Sequence, residues 1–121
     1  MNMAAILDQV KQHPEIHRAG MILCHNGVVR QTSRDGQEVT GLKVSVDHAI
    51  LDRIVSEQKK TPGIVDIQVW INEDKDLVVG DDVMFIAVAG DIRETVIQTL
   101  TQTLNQIKST ATSKTQFFKG E

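Results

Sequence analysis

Apolar positions along the chain switch between the three-to-four spacing of helices and the alternation of strands. Met3, Ile6, Leu7 and Val10 recur at helical spacing, and Pro14 closes that first helix. Ala19 to Cys24 is a short apolar run suited to a buried strand, which "HNGVVR" carries through Gly27 to Arg30. The polar stretch "QTSRDGQE" follows, with Asp35-Gly36 as its turn. In "VTGLKVSV", Leu42, Val44 and Val46 share one face, which is strand alternation. Asp47 then caps a helix whose stripe is Ile50, Leu51, Ile54 and Val55, and "KKTPG" ends it. "GIVDIQVWI" alternates again and reads as a half-buried strand. Val83 to Ala89 is apolar throughout, as a central strand requires.

After that strand, Arg93 to Lys108 reads as a helix with Val96, Ile97, Leu100, Leu104 and Ile107 inward and Asp91 as its N-cap. The closing "STATSKTQFFKGE" is rich in Ser and Thr and is expected to be a mobile tail from about residue 109 to 121. This order of elements predicts the α+β class: one domain over residues 1–121, an antiparallel-rich mixed sheet and packed helices.

Composition narrows the functional classes. A chain of 121 residues holds one real core, and 13 Lys+Arg against 16 Asp+Glu leaves no broad positive field for non-specific nucleic-acid binding. The single cysteine, Cys24, has no partner for an internal disulfide and no cation beside it in sequence, so an inert buried thiol in a reducing, cytoplasmic setting is expected. No segment reads as a signal peptide or a bilayer span, so no membrane role is expected. His13, His17, His25 and His48 do not fall at a metal-ligand spacing, and Asp74, Asp76, Asp81 and Asp82 read as solvated turn carboxylates. Neither a metal nor a cofactor is expected.

What remains is a set of cations at element ends: Arg30 after the first strand, Arg93 at the head of the last helix, Lys108 at its end and Lys119 beyond. Lys108 complements the negative end of the helix dipole. Arg93 meets the positive end, which calls for an anion nearby, from Asp91, Glu94 or a ligand.

These residues carry a family likeness. "GMILCHNGVVR" resembles the strand and Gly-x-Val-Arg segment of the large, catalytic subunit of molybdopterin synthase. "DGQEVTGLKV" is similar to the strand that follows in that family, and "LVVGDDVMFIAVAGDIR" to its Leu-x-x-Gly-Asp strand ending in an arginine. "FFKGE" is similar to its closing aromatic-Trp-Lys-x-Glu, and the spacing from arginine to helix-end lysine is kept. The resemblance implies an α/β-hammerhead fold and a homodimer within a heterotetramer. Each protomer would receive the C-terminal Gly-Gly tail of a small ubiquitin-like sulfur-carrier subunit, whose thiocarboxylate gives sulfur to a pterin phosphate substrate. On this reading Lys108 and Lys119 are the catalytic lysines and Arg30, Arg93 and Lys114 bind substrate, with Lys114 competing with Lys119 for the place of the second lysine. Arg30, Arg93 and Lys108 are expected to converge on one anion pocket, either elongated or shared across the dimer.

Several departures stand beside the likeness. Ile92 takes the place of a family histidine, Phe118 that of a tryptophan, the segment after Lys108 is longer and lacks a proline, and "VSVDHAI" lacks the family's Glu-x-Tyr type pattern after the second strand. The competing function is therefore a non-catalytic relative that keeps the dimer and binds a partner or another anion.

Overall fold

The computed structural model describes residues 1–120; Glu121, the last residue of the family-like "FFKGE", lies outside them. In chain order the elements are α1 (Met3–Lys11), a 3-10 turn (Ile16–Arg18), β1 (Met21–Val28), β2 (Val39–Val46), α2 (His48–Lys59), β3 (Ile64–Ile71), β4 (Leu77–Val78), β5 (Asp82–Gly90), α3 (Arg93–Gln106), a π-helical turn (Ile107–Ala111) and β6 (Thr112–Phe118). The strands form two three-stranded sheets, β1-β5-β3 and β4-β2-β6. Their pairings are antiparallel.

Strand β5 is buried from Met84 to Gly90, and its alternation divides the interior. Met84, Ile86 and Val88 face the main core, whereas Phe85, Ala87 and Ala89 face a second cluster built on Ile6 and Val10 of α1. Trp70 stacks on Phe85 there, with ring centroids 4.9 Å apart. Small alanines beside Phe85 let α1 approach the sheet closely. On the opposite face, α2, α3 and the second sheet enclose the main core through Leu51, Ile54, Val96, Leu42 and Val44. Ile71, which the dimer expectation pointed to along with Trp70, is itself part of that core.

Several expected caps and turns are present. The Asp47 side chain accepts from the Ile50 amide at 3.2 Å and starts α2. Gly36 takes φ +87° in the turn after Asp35, a conformation that glycine adopts without strain.

Three readings of the pattern are corrected. Asp91 is not the N-cap of α3: that place belongs to Ile92, with no side-chain cap. The Asp91 carboxylate instead accepts from the amide of Ile92 itself at 2.7 Å. Ile97 is exposed, and Thr99 and Thr103 take inward positions beside Val96. A buried threonine is tolerable because its hydroxyl can donate back along the helix, as Thr103 does to the Thr99 carbonyl at 2.7 Å.

The third correction concerns the end of the chain. Residues expected to form a loose tail complete the helix with a π turn and then pair along β2 from Val39 to Val46. An otherwise open β2 edge supplies the unpaired amides and carbonyls that draw the segment in. Its hydroxyl-rich composition has a local use. Ser109, Thr110 and Thr112 donate to the carbonyls of Asn105, Gln106 and Ile107, satisfying acceptors at the helix end. The Asp47 amide also donates to the Ala111 carbonyl at 2.8 Å, tying this end to the start of α2.

A chain ending at Ala111 is therefore expected to unfold at a clearly lower urea concentration than the full chain, because β2 and the main core lose their cover. Urea unfolding followed by circular dichroism measures this; an unchanged midpoint would mean that β6 adds nothing to the fold.

Candidate functional site: a basic groove between the two sheets

The site is built from the positions where inward-facing strand residues turn polar. Along β2, Leu42 and Val44 point into the main core, and their register partners on β6 are Gln116 and Lys114. Directly paired residues share a face, so Lys114 is carried inward by strand parity. Along β1, Met21 and Leu23 belong to the main core, so the two-residue period brings His25 and Gly27 to the same side. Lys108 comes from the π turn. Its neighbour Ile107 is fully buried, which fixes the backbone and leaves Lys108 at the mouth of the core.

Two adjoining cavities result. One, of about 150 Å³, is lined by His25, Gly27, Leu42, Met84, Lys108 and Lys114 among others. The next, of about 250 Å³, shares Lys108 and Lys114 and adds Arg30, Arg34 and Gln116. Lys108 and Lys114 thus join them into one groove. Arg30 is held at its rim by a hydrogen bond from Nε to the Thr32 carbonyl at 2.7 Å. Behind it, Val29 is buried and bonded through its amide to the Asp81 carbonyl and through its own carbonyl to the Gly80 amide, both at 2.9 Å.

Among the described residues, no carboxylate lines either cavity. Four cations with no carboxylate among the described lining residues, in a chain whose net charge is −3, make a local positive field suited to an anion. Arginine forks match phosphate or carboxylate oxygens in pairs, and lysines supply mobile point charges. His25 feels the same field. Burial, and then the charge of Lys108, hold its imidazole below the ordinary histidine range.

The predicted site residues separate into two groups. Arg30, Lys108 and Lys114 line the groove. Lys119 does not: its ammonium lies 3.6 Å from Glu38 in a different depression, shared with Gln37 and Phe118. Arg93 is also absent from the groove lining, being exposed at the head of α3 with Glu94 3.9 Å away. At about 1.5 Å of rise per residue, the helix sets Arg93 and Lys108 roughly 20 Å apart. Arg30 and Lys108 therefore share one cavity, and Arg93 does not join them within this chain.

Sequence reasoning missed Arg34 and His25. Arg34 sits in a polar turn, where an exposed cation carries no signal. For His25 a signal existed in the strand period, which puts it on the core-facing side of β1 two residues beyond Leu23. Cys24, on the opposite face, packs against the α1 cluster, and burial pushes its thiol up. That suits an unreactive packing role.

A larger depression of about 430 Å³ beside α1 is lined mainly by apolar groups, with Lys11 as its one charge. It offers no convergent polar set.

Together, the two antiparallel sheets, the helices packed on them and the basic groove between define an α/β-hammerhead domain. The sequence matches the model described as "MoaE protein" over residues 1–110, and the chain belongs to that family, the large subunit of molybdopterin synthase. Its fold is similar to the crystal structure of molybdopterin synthase from Staphylococcus aureus, with TM-score 0.73 and 19% identity, covering 86% of this chain and 78% of that one. Molybdopterin cofactor biosynthesis protein E from Burkholderia multivorans gives TM-score 0.74 and 20% identity over 94% of this chain and 79% of that one. The complex of subunits 1 and 2 of molybdopterin-converting factor from Helicobacter pylori gives TM-score 0.71 and 15% identity over 100% and 86%. No curated protein sequence matches the chain.

The groove geometry gives a binding prediction. Lys108→Ala, Lys114→Ala and Arg30→Ala are each expected to weaken sulfate binding about tenfold, as loss of a charge-assisted contact does. Lys119→Ala should leave it unchanged. Titration followed by amide chemical shifts measures this; equal losses in all four variants would show a diffuse surface field instead of a site.

Proposed function

We propose that this chain is the sulfur-transferring large subunit of a molybdopterin synthase, and that its groove receives the C-terminal thiocarboxylate of a small ubiquitin-like sulfur carrier next to a pterin phosphate. The observation that carries the reading is the convergence of Lys108 and Lys114 from separate elements onto one cavity continuous with Arg30 and Arg34. Both reactants are anions, so a carboxylate-free groove is the environment they need to approach one another.

The roles follow from position. Arg30 and Arg34, at the wider end, hold the phosphate by paired hydrogen bonds. Lys108 and Lys114, where the cavities meet, hold the thiocarboxylate and balance the charge that develops as its sulfur is passed to the pterin carbon. The sulfur displaces an oxygen from that carbon, water then cleaves the thioester so formed, and the carrier's tail is left as a carboxylate. In this scheme Lys114, not Lys119, is the second lysine. Arg93 acts from a second copy of the chain across a homodimer, since one protomer cannot bring it to Lys108. The reaction takes place in the cytoplasm, and it uses no metal or bound cofactor of this subunit.

A second reading, a partner-binding relative without synthase activity, is favoured by one feature. Ile92 is 56% exposed immediately before Arg93, where the family has a histidine. An apolar residue there suits a protein contact better than a substrate contact.

Reconstitution with a thiocarboxylated carrier and the cyclic pterin precursor tests the proposal. Wild-type protein is expected to form molybdopterin, Lys108→Ala and Lys114→Ala to reduce the rate by more than about a hundredfold, and Lys119→Ala to retain most of it. Both groove lysines are exposed, so both variants should unfold like the wild type. Carrier binding without product from the wild-type protein, together with failure to restore molybdopterin synthesis in a strain lacking the large subunit, would establish the second reading.

A further inference from the structure

His25 is the one titratable side chain of the groove that the proposed chemistry leaves unused. It reaches the narrower cavity from β1, opposite Lys108 and Lys114, and the remaining lining there is apolar: Val28, Leu42, Val44, Val83 and Met84, with Gly27. Gly27 lies beside the ring. A Cβ at that position would stand 3.4 Å from His25 Nε2, at the limit of ordinary contact. On the neighbouring strand, its register partner Ile86 is fully buried and offers no polar group. The charged groups that face the imidazole are therefore Lys108 from the π turn and Lys114 from β6, with Arg30 and Arg34 farther along the continuous cavity.

We propose that His25 is the third anion-binding residue of the narrower cavity: an anionic group seated between Lys108 and Lys114 draws a proton onto the imidazole, and the protonated ring then helps to hold it. The physical basis is reciprocity. The Lys108 ammonium beside the half-buried ring opposes a positive charge there, and an anion seated next to it offsets that opposition. If the anion favours the protonated ring, protonation must favour the anion by the same factor. In the empty groove the direction is already set, since burial and the charge of Lys108 both disfavour the imidazolium. Loading the groove supplies the opposite charge and reverses the second cause.

The sign follows directly. Above the imidazole range the ring is neutral in both the empty and the loaded groove, and no proton is taken up. As the pH falls into that range, the loaded groove binds a proton that the empty one does not, so anion affinity rises. The affinity stops rising once both forms are protonated. The ligand class is a small anion that fits beside apolar walls, either the carboxylate or thiocarboxylate end of a peptide or a phosphate group. This inference rests on the groove reading given above but not on sulfur transfer itself.

The test uses the whole chain and two probes that do not titrate near neutrality: sulfate, standing for a phosphate group, and a short peptide ending in Gly-Gly with a free carboxylate. Imidazole proton and carbon resonances of His25 are followed through a pH titration, alone and with each probe, against sodium chloride at matched ionic strength. The expected result is an upward move of the His25 midpoint by about one pH unit with at least one probe, while His13, His17 and His48 stay in place. Probe affinity should rise about tenfold between pH 8 and pH 5.5 in the wild type, by the same linkage, and stay flat in His25→Phe and His25→Gln. The probe that produces the shift identifies the source of the anion. No shift with either probe, whether or not it binds, overturns the proposal, and this measurement on the unsubstituted chain decides even if both variants misfold. Sulfur transfer without proton coupling would sink this inference alone; proton coupling without sulfur transfer would sink the synthase reading alone.

Discussion

Everything in this fold follows from one strand that cannot face water on either side. Met84 to Gly90 of β5 is buried throughout, so helices or sheets must cover both faces, and the two-residue period decides which side chain goes where. Alanines and a phenylalanine go to the α1 side, larger aliphatics to the side of α2, α3 and the second sheet. Each fully buried aliphatic of this kind contributes about 1.5–3 kcal/mol by its removal from water. The same alternation in β1, locked to β5 by an eight-residue register, carries His25 to the groove side. Architecture and site are thus consequences of one parity.

The groove is the place where the main core stops. Its inward positions on β2 and β5 remain apolar, as Leu42, Val44 and Met84 show, whereas those on β1 and β6 become His25, Lys114 and Gln116. Apolar atoms cannot close over these groups without stripping water from charges, which costs far more than the added contact returns. An opening between the sheets is the lower-energy arrangement. The π turn contributes at the same edge: Ile107 and Ala111 anchor it in the core while Lys108 lies between them in sequence and outside in space.

Much of this was legible because local and long-range preferences agree. The β5 run, the Asp47 cap, the Asp35-Gly36 turn and the helical stripe of α2 each carry their own signal, and the periodicity set Arg30 just past a strand and Lys108 near the end of the last helix. Legibility failed where a residue's environment comes from another element. Strand β6 is polar and hydroxyl-rich, so its sequence reads as a tail; only the open edge of β2, about 70 residues earlier in the chain, makes it a strand. Thr99 and Thr103 look solvent-facing in sequence yet are buried, and the Thr103 hydroxyl is turned back on the helix. Lys119 matches a family motif more closely than Lys114 does, yet Glu38 stands beside it, and this pairing is a tertiary fact.

The positions that resisted a sequence reading are also those where the structure accepts local conflict. A histidine on the core side of β1 and an uncapped helix start at Ile92 each forgo stability that an apolar or capping residue would supply. Conflict of this kind persists where something outside the chain relieves it. Lys108, Lys114, Arg30 and Arg34 line a groove with no carboxylate among its described lining residues, which is the setting the proposed anion requires. Ile92 forgoes stability in a different way, through an exposed apolar side chain, and its relief is an apolar surface. Both features lie at the two ends of the same helical segment, one at the start of α3 and one just beyond its end. The homodimer proposed above would cover the first with a second copy of the chain and lend Arg93 to the second.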